Sequence, residues 1–148
     1  MSYSISGFVN HATTRRVIGL NFSSDTALSV GNPIPWAIYD GSASHGVTVN
    51  AGVITLPADY EYLVMAQAVG AGTANAVYKF YIDSSLSADS QYIETRGEQT
   101  PTQGNKTSNT NASAIVQKSS SSQTVELRAT VASTIISDYS HLTILQIG

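Results

Sequence analysis

At 148 residues the chain has the size of one globular domain, enough to bury about two-thirds of the surface its unfolded form would expose. Charged residues make up 11% of it, against about 25% in an average soluble domain; the net charge is −3 and there is no cysteine. Those figures exclude disulfide scaffolds, cysteine zinc sites, thiol nucleophiles and any nucleic-acid binder that works by neutralising phosphates.

Residues 1–6 (MSYSIS) lack the basic start and apolar run of an export signal, so synthesis in the cytoplasm without one is expected. The pattern over residues 1–30 is weak and ends at the punctuation of 31–35 (GNPIP). It is read as an N-terminal arm or appended strands, with 17–22 the one segment of strand character, ahead of a domain formed by 31–148. Residues 36–39 read as a short strand. Residues 46–50 and 52–56 read as two more, joined at the Asn50-Ala51-Gly52 turn.

Residues 61–69 (EYLVMAQAV) and 76–83 (AVYKFYID) carry the aromatic and branched side chains that suit a pleated surface. Between them 66–77 is rich in alanine, yet Gly70 and Gly72 would each cost a helix about 1 kcal/mol relative to alanine. A hairpin with 70–75 as its loop is the preferred reading. The same interruptions, with Gln67, Thr73 and Asn75, remove 62–78 as a membrane span.

Further strands are expected at 91–95, 112–118, 123–131 and 141–147. In 123–131 the apolar Val125, Leu127, Ala129 and Val131 alternate with Thr124, Glu126, Arg128 and Thr130, which places both charges on one face. In 141–147 both faces are apolar, the mark of a covered, central strand. Residues 97–111 (GEQTPTQGNKTSNTN) contain no aliphatic side chain and read as one long exposed loop, with the serine run 119–122 as another.

Groups capable of catalysis are scarce. His11, His45 and His141 lie on three separate segments without metal-ligand spacing. Asp40, Ser42, Ser44 and His45 contain the residue types of a nucleophilic triad, but neighbours on one loop seldom reach that geometry and there is no GxSxG elbow. Asp83 and Asp89 read as turn residues rather than calcium ligands. Gly70-Ala71-Gly72 lacks the lysine of a phosphate loop. The glycosylation sequons at Asn21, Asn105 and Asn111 read as coincidence without an export signal. The expectation is therefore a non-enzymatic protein with no metal or cofactor.

Tyr60, Tyr62, Tyr78, Phe80, Tyr81 and Tyr92 are too many rings for one sandwich core, since alternate positions of a strand face outward. Outward aromatics are enriched where subunits meet. Tyr60, Tyr62, Tyr78, Phe80 and Tyr81 are the expected contact residues between copies.

From Trp36 to the end the order of segments resembles the jelly roll shared by tumour necrosis factor and the globular head of the complement recognition protein. The stretch GVITLPADYEYLV (52–64) is similar to that superfamily's apolar strand, proline and tight turn leading into a tyrosine and a long strand. The segments YKFYID (78–83), SAIVQK (113–118), TVELR (124–128) and SHLTILQI (140–147) resemble its later strands in order. Two positions differ: the glycine usual before the tyrosine is Asp59, and the phenylalanine that often follows is absent. No collagen-like repeat or membrane stalk accompanies the match, so signalling and complement roles are not carried over.

The resemblance implies an all-β jelly-roll β-sandwich that forms a homotrimer about a central axis. Similar jelly rolls occur in bacteriophage head fibres, tail fibres and capsid-decorating proteins. That group suits the absent signal, the absent cysteines and a surface in which Ser (21) and Thr (15) are the main polar residues. The expected role is a virion structural protein that decorates a capsid or forms a head fibre, located on the virion surface. The alternative is the receptor-binding tip of a tail fibre that recognises cell-surface glycan, with Tyr92, Trp36 or Tyr139 stacking on sugar rings. Expected partners are other copies of the chain and a major capsid or other virion protein, with no nucleic acid and no membrane. Arg15 and Arg16 are assigned to the particle-gripping arm, and Gln103, Asn105 and Lys106 to a loop facing away from the particle.

Overall fold

The computed structural model of the chain describes residues 16–39, 41–72, 77–86, 91–93 and 106–148, with side chains left undescribed at 86, 91–93 and 106–108. In chain order the strands are β1 (Val17–Asn21), β2 (Thr26–Leu28), β3 (Ala37–Ile38), β4 (Thr48–Asn50), β5 (Val53–Leu56), β6 (Tyr62–Gly72) and β7 (Tyr78–Ile82). There follow β8 (Ser85–Leu86), β9 (Gln91–Ile93), β10 (Lys106–Val116), β11 (Gln123–Ala129), β12 (Ser133–Ile135) and, after a 3₁₀ turn at Ser137–Tyr139, β13 (His141–Gln146). They form two antiparallel sheets, one of eight strands and one of five in the order β4-β5-β11-β7-β8.

β6 organises the larger sheet. Along one edge it pairs with β10 over its whole length, Tyr62 with Val116 through Gly72 with Lys106. Its other edge is shared: β13 takes residues 62–67, and β12 takes Gly70 and Ala71. Where the ladder changes partner, the Val69 N–H donates to the Ser140 hydroxyl at 2.9 Å, so no buried donor is stranded at the switch. β1 then adds to β13 and β3 to β1, while β2 extends β12.

Two turns follow from local chemistry. β4 and β5 are joined by Ala51 and Gly52 at φ 49° and 81°, and β7 and β8 by Asp83 and Ser84 at φ 48° and 63°. Paired positive φ values mark the type I′ turn, whose twist suits a two-residue hairpin. The Asp83 carboxylate also accepts the Thr124 N–H at 2.8 Å, tying the turn to β11. Asp59, at the position where the resembled stretch has glycine, sits at φ 69°, a left-handed conformation that aspartate tolerates better than most residues.

The core lies between the sheets. β6 turns Tyr62, Val64, Ala66 and Ala68 inward, and β10 turns in Ala112, Ala114 and Val116. Their small side chains leave depth for Tyr78 and Phe80 of the opposing β7, both fully buried. Each such ring contributes roughly 1.5–3 kcal/mol by leaving water.

Several expectations need correction. Gly70 and Gly72 do not close a hairpin: β6 runs through both, and β7 belongs to the other sheet; the rest of the expected loop, 73–75, lies outside the described residues. Pairing holds the glycines in the strand: Gly70 has β10 on one edge and β12 on the other, and Gly72 pairs with β10. The loop expected at 97–111 ends early, because 106–111 form the first half of β10. Backbone pairing to β6 makes that strand without any aliphatic side chain. Of the two readings of residues 1–30, an arm or appended strands, 17–28 follow the second: β1 lies between β13 and β3 and β2 extends β12, with Ile18, Leu20, Phe22 and Leu28 in the core. Residues 1–15 lie outside the described residues.

Candidate functional site

Antiparallel register stacks the outward side chains of the larger sheet into rows across its strands. Ile115 of β10 opposes Leu63 of β6, Leu63 opposes Leu145 of β13, and Leu145 opposes Val17 of β1. With strands about 4.8 Å apart, this apolar row extends for about 14 Å. Val17 is 54% exposed and Ile115 42%, while Leu63 and Leu145 are half-buried between them. The next row holds Ser113, Met65, Thr143 and Gly19, with Met65 also exposed. The third holds Asn111, Gln67 and His141.

The face therefore grades from apolar to polar along the strands and carries no Asp, Glu, Lys or Arg in these rows. A shallow groove of about 390 Å³ crosses its polar half, lined by Met65, Gln67, Asn111, Ser113, His141 and Thr143. Beside the apolar end, the Arg16 guanidinium lies over the Tyr60 ring, 5.6 Å from its centroid, and Tyr60 meets Tyr62 edge to face at 6.4 Å. An apolar strip rimmed by a cation and an aromatic ring is what a surface covered by protein looks like.

The expected contact residues do not form one surface. Tyr62, Tyr78 and Phe80 face the core at 3% exposure or less, because the alternation of β6 and β7 turns those positions inward. Tyr60 borders the apolar row. Tyr81 lies on the opposite outer face of the sandwich, beneath the Arg128 guanidinium at 4.3 Å. Burial raises the phenol pKa of Tyr62, helped by the nearby Tyr60 charge and opposed by Arg16. It also raises that of Tyr78, opposed by the Ser133 hydrogen bond.

Arg16 is not part of a free arm: its carbonyl accepts the Gln146 N–H, which fixes it to the sheet. Arg15, Gln103 and Asn105 lie outside the described residues, and Lys106 opens β10. Trp36 is only 3% exposed and packs edge to face on Phe22, so it presents no ring to a sugar; the Tyr92 side chain lies outside the described residues. Tyr139 is 64% exposed.

The polar groups weighed for chemistry hold structure. The Ser42 hydroxyl accepts the Gly19 N–H at 3.1 Å, and His45 sits exposed in a left-handed turn; Asp40 and Asp89 lie outside the described residues. Among the described residues no three His, Asp or Glu side chains cluster as metal ligands would.

Val17, Leu63, Met65, Ile115 and Leu145 were not singled out from the sequence. Their signal was present in 141–147 and 61–69, where positions facing away from the core are also apolar. It pointed to a covered strand without saying what does the covering.

No protein-family model matches the sequence, and no curated protein sequence matches it. Solved structures do. The chain is similar to Eiger TNF from S. frugiperda with a TM-score of 0.61 and 12% identity, over 90% of this chain and 93% of that one. It is similar to murine APRIL with a TM-score of 0.57 and 12% identity, over 90% of this chain and all of that one. Identity this low speaks for architecture alone, and with the two antiparallel sheets it establishes that the chain folds as a TNF-like jelly roll.

Proposed function

We propose that the chain is a non-enzymatic structural protein of a bacteriophage particle, working as a homotrimer whose copies meet on the outer face of the larger sheet. The observation that carries self-association is the row Ile115–Leu63–Leu145–Val17, left open to water on one copy. A second copy seated there removes that apolar area from solvent, at about 25 cal/mol per Å². The low charge of the whole chain supports the same reading, because little of the exterior resists contact. Three copies about an axis is the arrangement the jelly-roll resemblance implies.

The virion role, capsid decoration or a head fibre, is supported by the occurrence of similar jelly rolls in phage particles, by the serine- and threonine-rich composition and by the scarcity of catalytic groups. Attachment to a major capsid or other virion protein falls in this reading to residues 1–15, upstream of β1.

Light scattering coupled to size-exclusion chromatography tests the assembly. Wild type should elute with the mass of three chains and Leu145→Glu with the mass of one, the circular dichroism of both being the same. A wild-type mass of one chain at micromolar concentration sinks the trimer. Deletion of residues 2–14, which spares β1, should keep the trimer and abolish cosedimentation with phage heads. Unchanged cosedimentation would remove the attachment role from that segment.

A further inference from the structure

On the β1 and β3 side of the same sheet, the outward positions Gly19 and Asn21 of β1 and Thr143 and His141 of β13 meet Asp138 of the 3₁₀ turn and Tyr39, which follows β3. Together they line an open groove of about 450 Å³. Gly19 adds no side chain to the floor; a Cβ there would make an ordinary contact with that of Tyr39 at 3.9 Å. Tyr39 is anchored by its N–H, which donates to the Gly19 carbonyl at 2.9 Å, and the residue is 57% exposed. The side chains of Asn21, Asp138, His141 and Thr143 make no hydrogen bond or ion pair to any described residue. Four polar groups of different type thus line one concavity without partners among the described residues.

We propose that this groove binds a neutral saccharide unit. A carboxylate accepts, an amide both accepts and donates, and an imidazole and a hydroxyl do either. That mixture matches vicinal sugar hydroxyls, each of which is donor and acceptor at once. The open Tyr39 ring supplies an apolar face for the C–H side of a pyranose. The volume falls within the usual range for small-molecule sites. Among the described residues the lining holds a carboxylate and neither lysine nor arginine, which disfavours phosphates, nucleotides and acidic sugars. Every group comes from one copy, and the inference requires the groove to stay open beside a contact between copies that is centred on the row Ile115–Leu63–Leu145–Val17.

Saturation-transfer NMR of the full chain against a panel of neutral hexoses, N-acetylhexosamines and their disaccharides tests it. At least one should bind, and Tyr39→Ala and Asp138→Asn should each weaken that binding about tenfold or more, the loss of one good polar or stacking contact. Their unfolding midpoints should stay within a few degrees of wild type. If no neutral saccharide binds, or if both variants bind as wild type does, the proposal is wrong. Light scattering of Tyr39→Ala, expected to give the wild-type mass, keeps a failure of the groove separate from a failure of the assembly.

Discussion

The Tyr78 hydroxyl meets the Ser133 hydroxyl at 3.0 Å in the core, joining β7 of the smaller sheet to β12 of the larger. Ser133 in turn donates to the Val131 carbonyl at 3.3 Å, which makes Tyr78 the donor between them. This polar link joins the two sheets across the core. Tyr78→Phe should cost about 1 kcal/mol in urea unfolding, the net worth of one internal hydrogen bond. Ser133→Ala should cost more, because it strands a buried phenol. Equal costs would mean that the tyrosine finds another partner.

The same burial predicts an alkaline limit. Tyr62 and Tyr78 titrate above the ordinary 10.0 in the folded chain, through desolvation first. The folded state therefore holds these protons more tightly than the unfolded state. Their contribution is complete below pH 10 and is lost as pH rises above it. Melting temperature should be level on this account up to about pH 10 and then fall. Tyr78→Phe should shallow that fall, and an unchanged slope would assign it to other groups.

Gly52 lies at φ 81° with its α-carbon against the next segment; a Cβ there would stand 2.3 Å from the Ile34 carbonyl oxygen. Gly31 has a similar φ of 85° but open space around it. Gly31→Ala should cost about 1 kcal/mol for the left-handed backbone alone. Gly52→Ala adds a backbone collision and should cost at least about 3 kcal/mol. Thermal unfolding of the two variants separates the terms, and equal losses would contradict the close approach.

On the outer face of the smaller sheet, Arg128 stacks on Tyr81 and pairs with the Glu126 carboxylate. Their side chains are mostly shielded from water, Glu126 at 11% exposure and Arg128 at 23%. A double-mutant cycle of Arg128→Met and Tyr81→Leu should give a coupling of about 1 kcal/mol. A coupling near zero would make the stack incidental.

Much of the architecture was legible in the residues. Alternation in 123–131 and the doubly apolar 141–147 located β11 and the central β13, and the order of segments after Trp36 pointed to the jelly roll. What failed was sheet membership. The glycines at 70 and 72 read as the end of a hairpin, and 106–111 as loop, because neither segment contains the side chains that make a strand self-evident. The apolar row was legible only in part: 141–147, which holds Leu145, read as apolar on both faces, but the alignment of Leu145 with Leu63, Ile115 and Val17 did not show.

The sequence by itself determined the strand-rich character, the scarcity of charge and the inward set of β11, because alternation and composition are local properties of the chain. Only the tertiary structure decided that β6 ladders with three distant strands, that Tyr62, Tyr78 and Phe80 face the core, and that four apolar residues from four strands form one row. Those outcomes depend on register between segments up to 128 residues apart, as between Val17 and Leu145. A shift of one residue exchanges the two faces of a strand, and no local pattern encodes which register the packed sheets select.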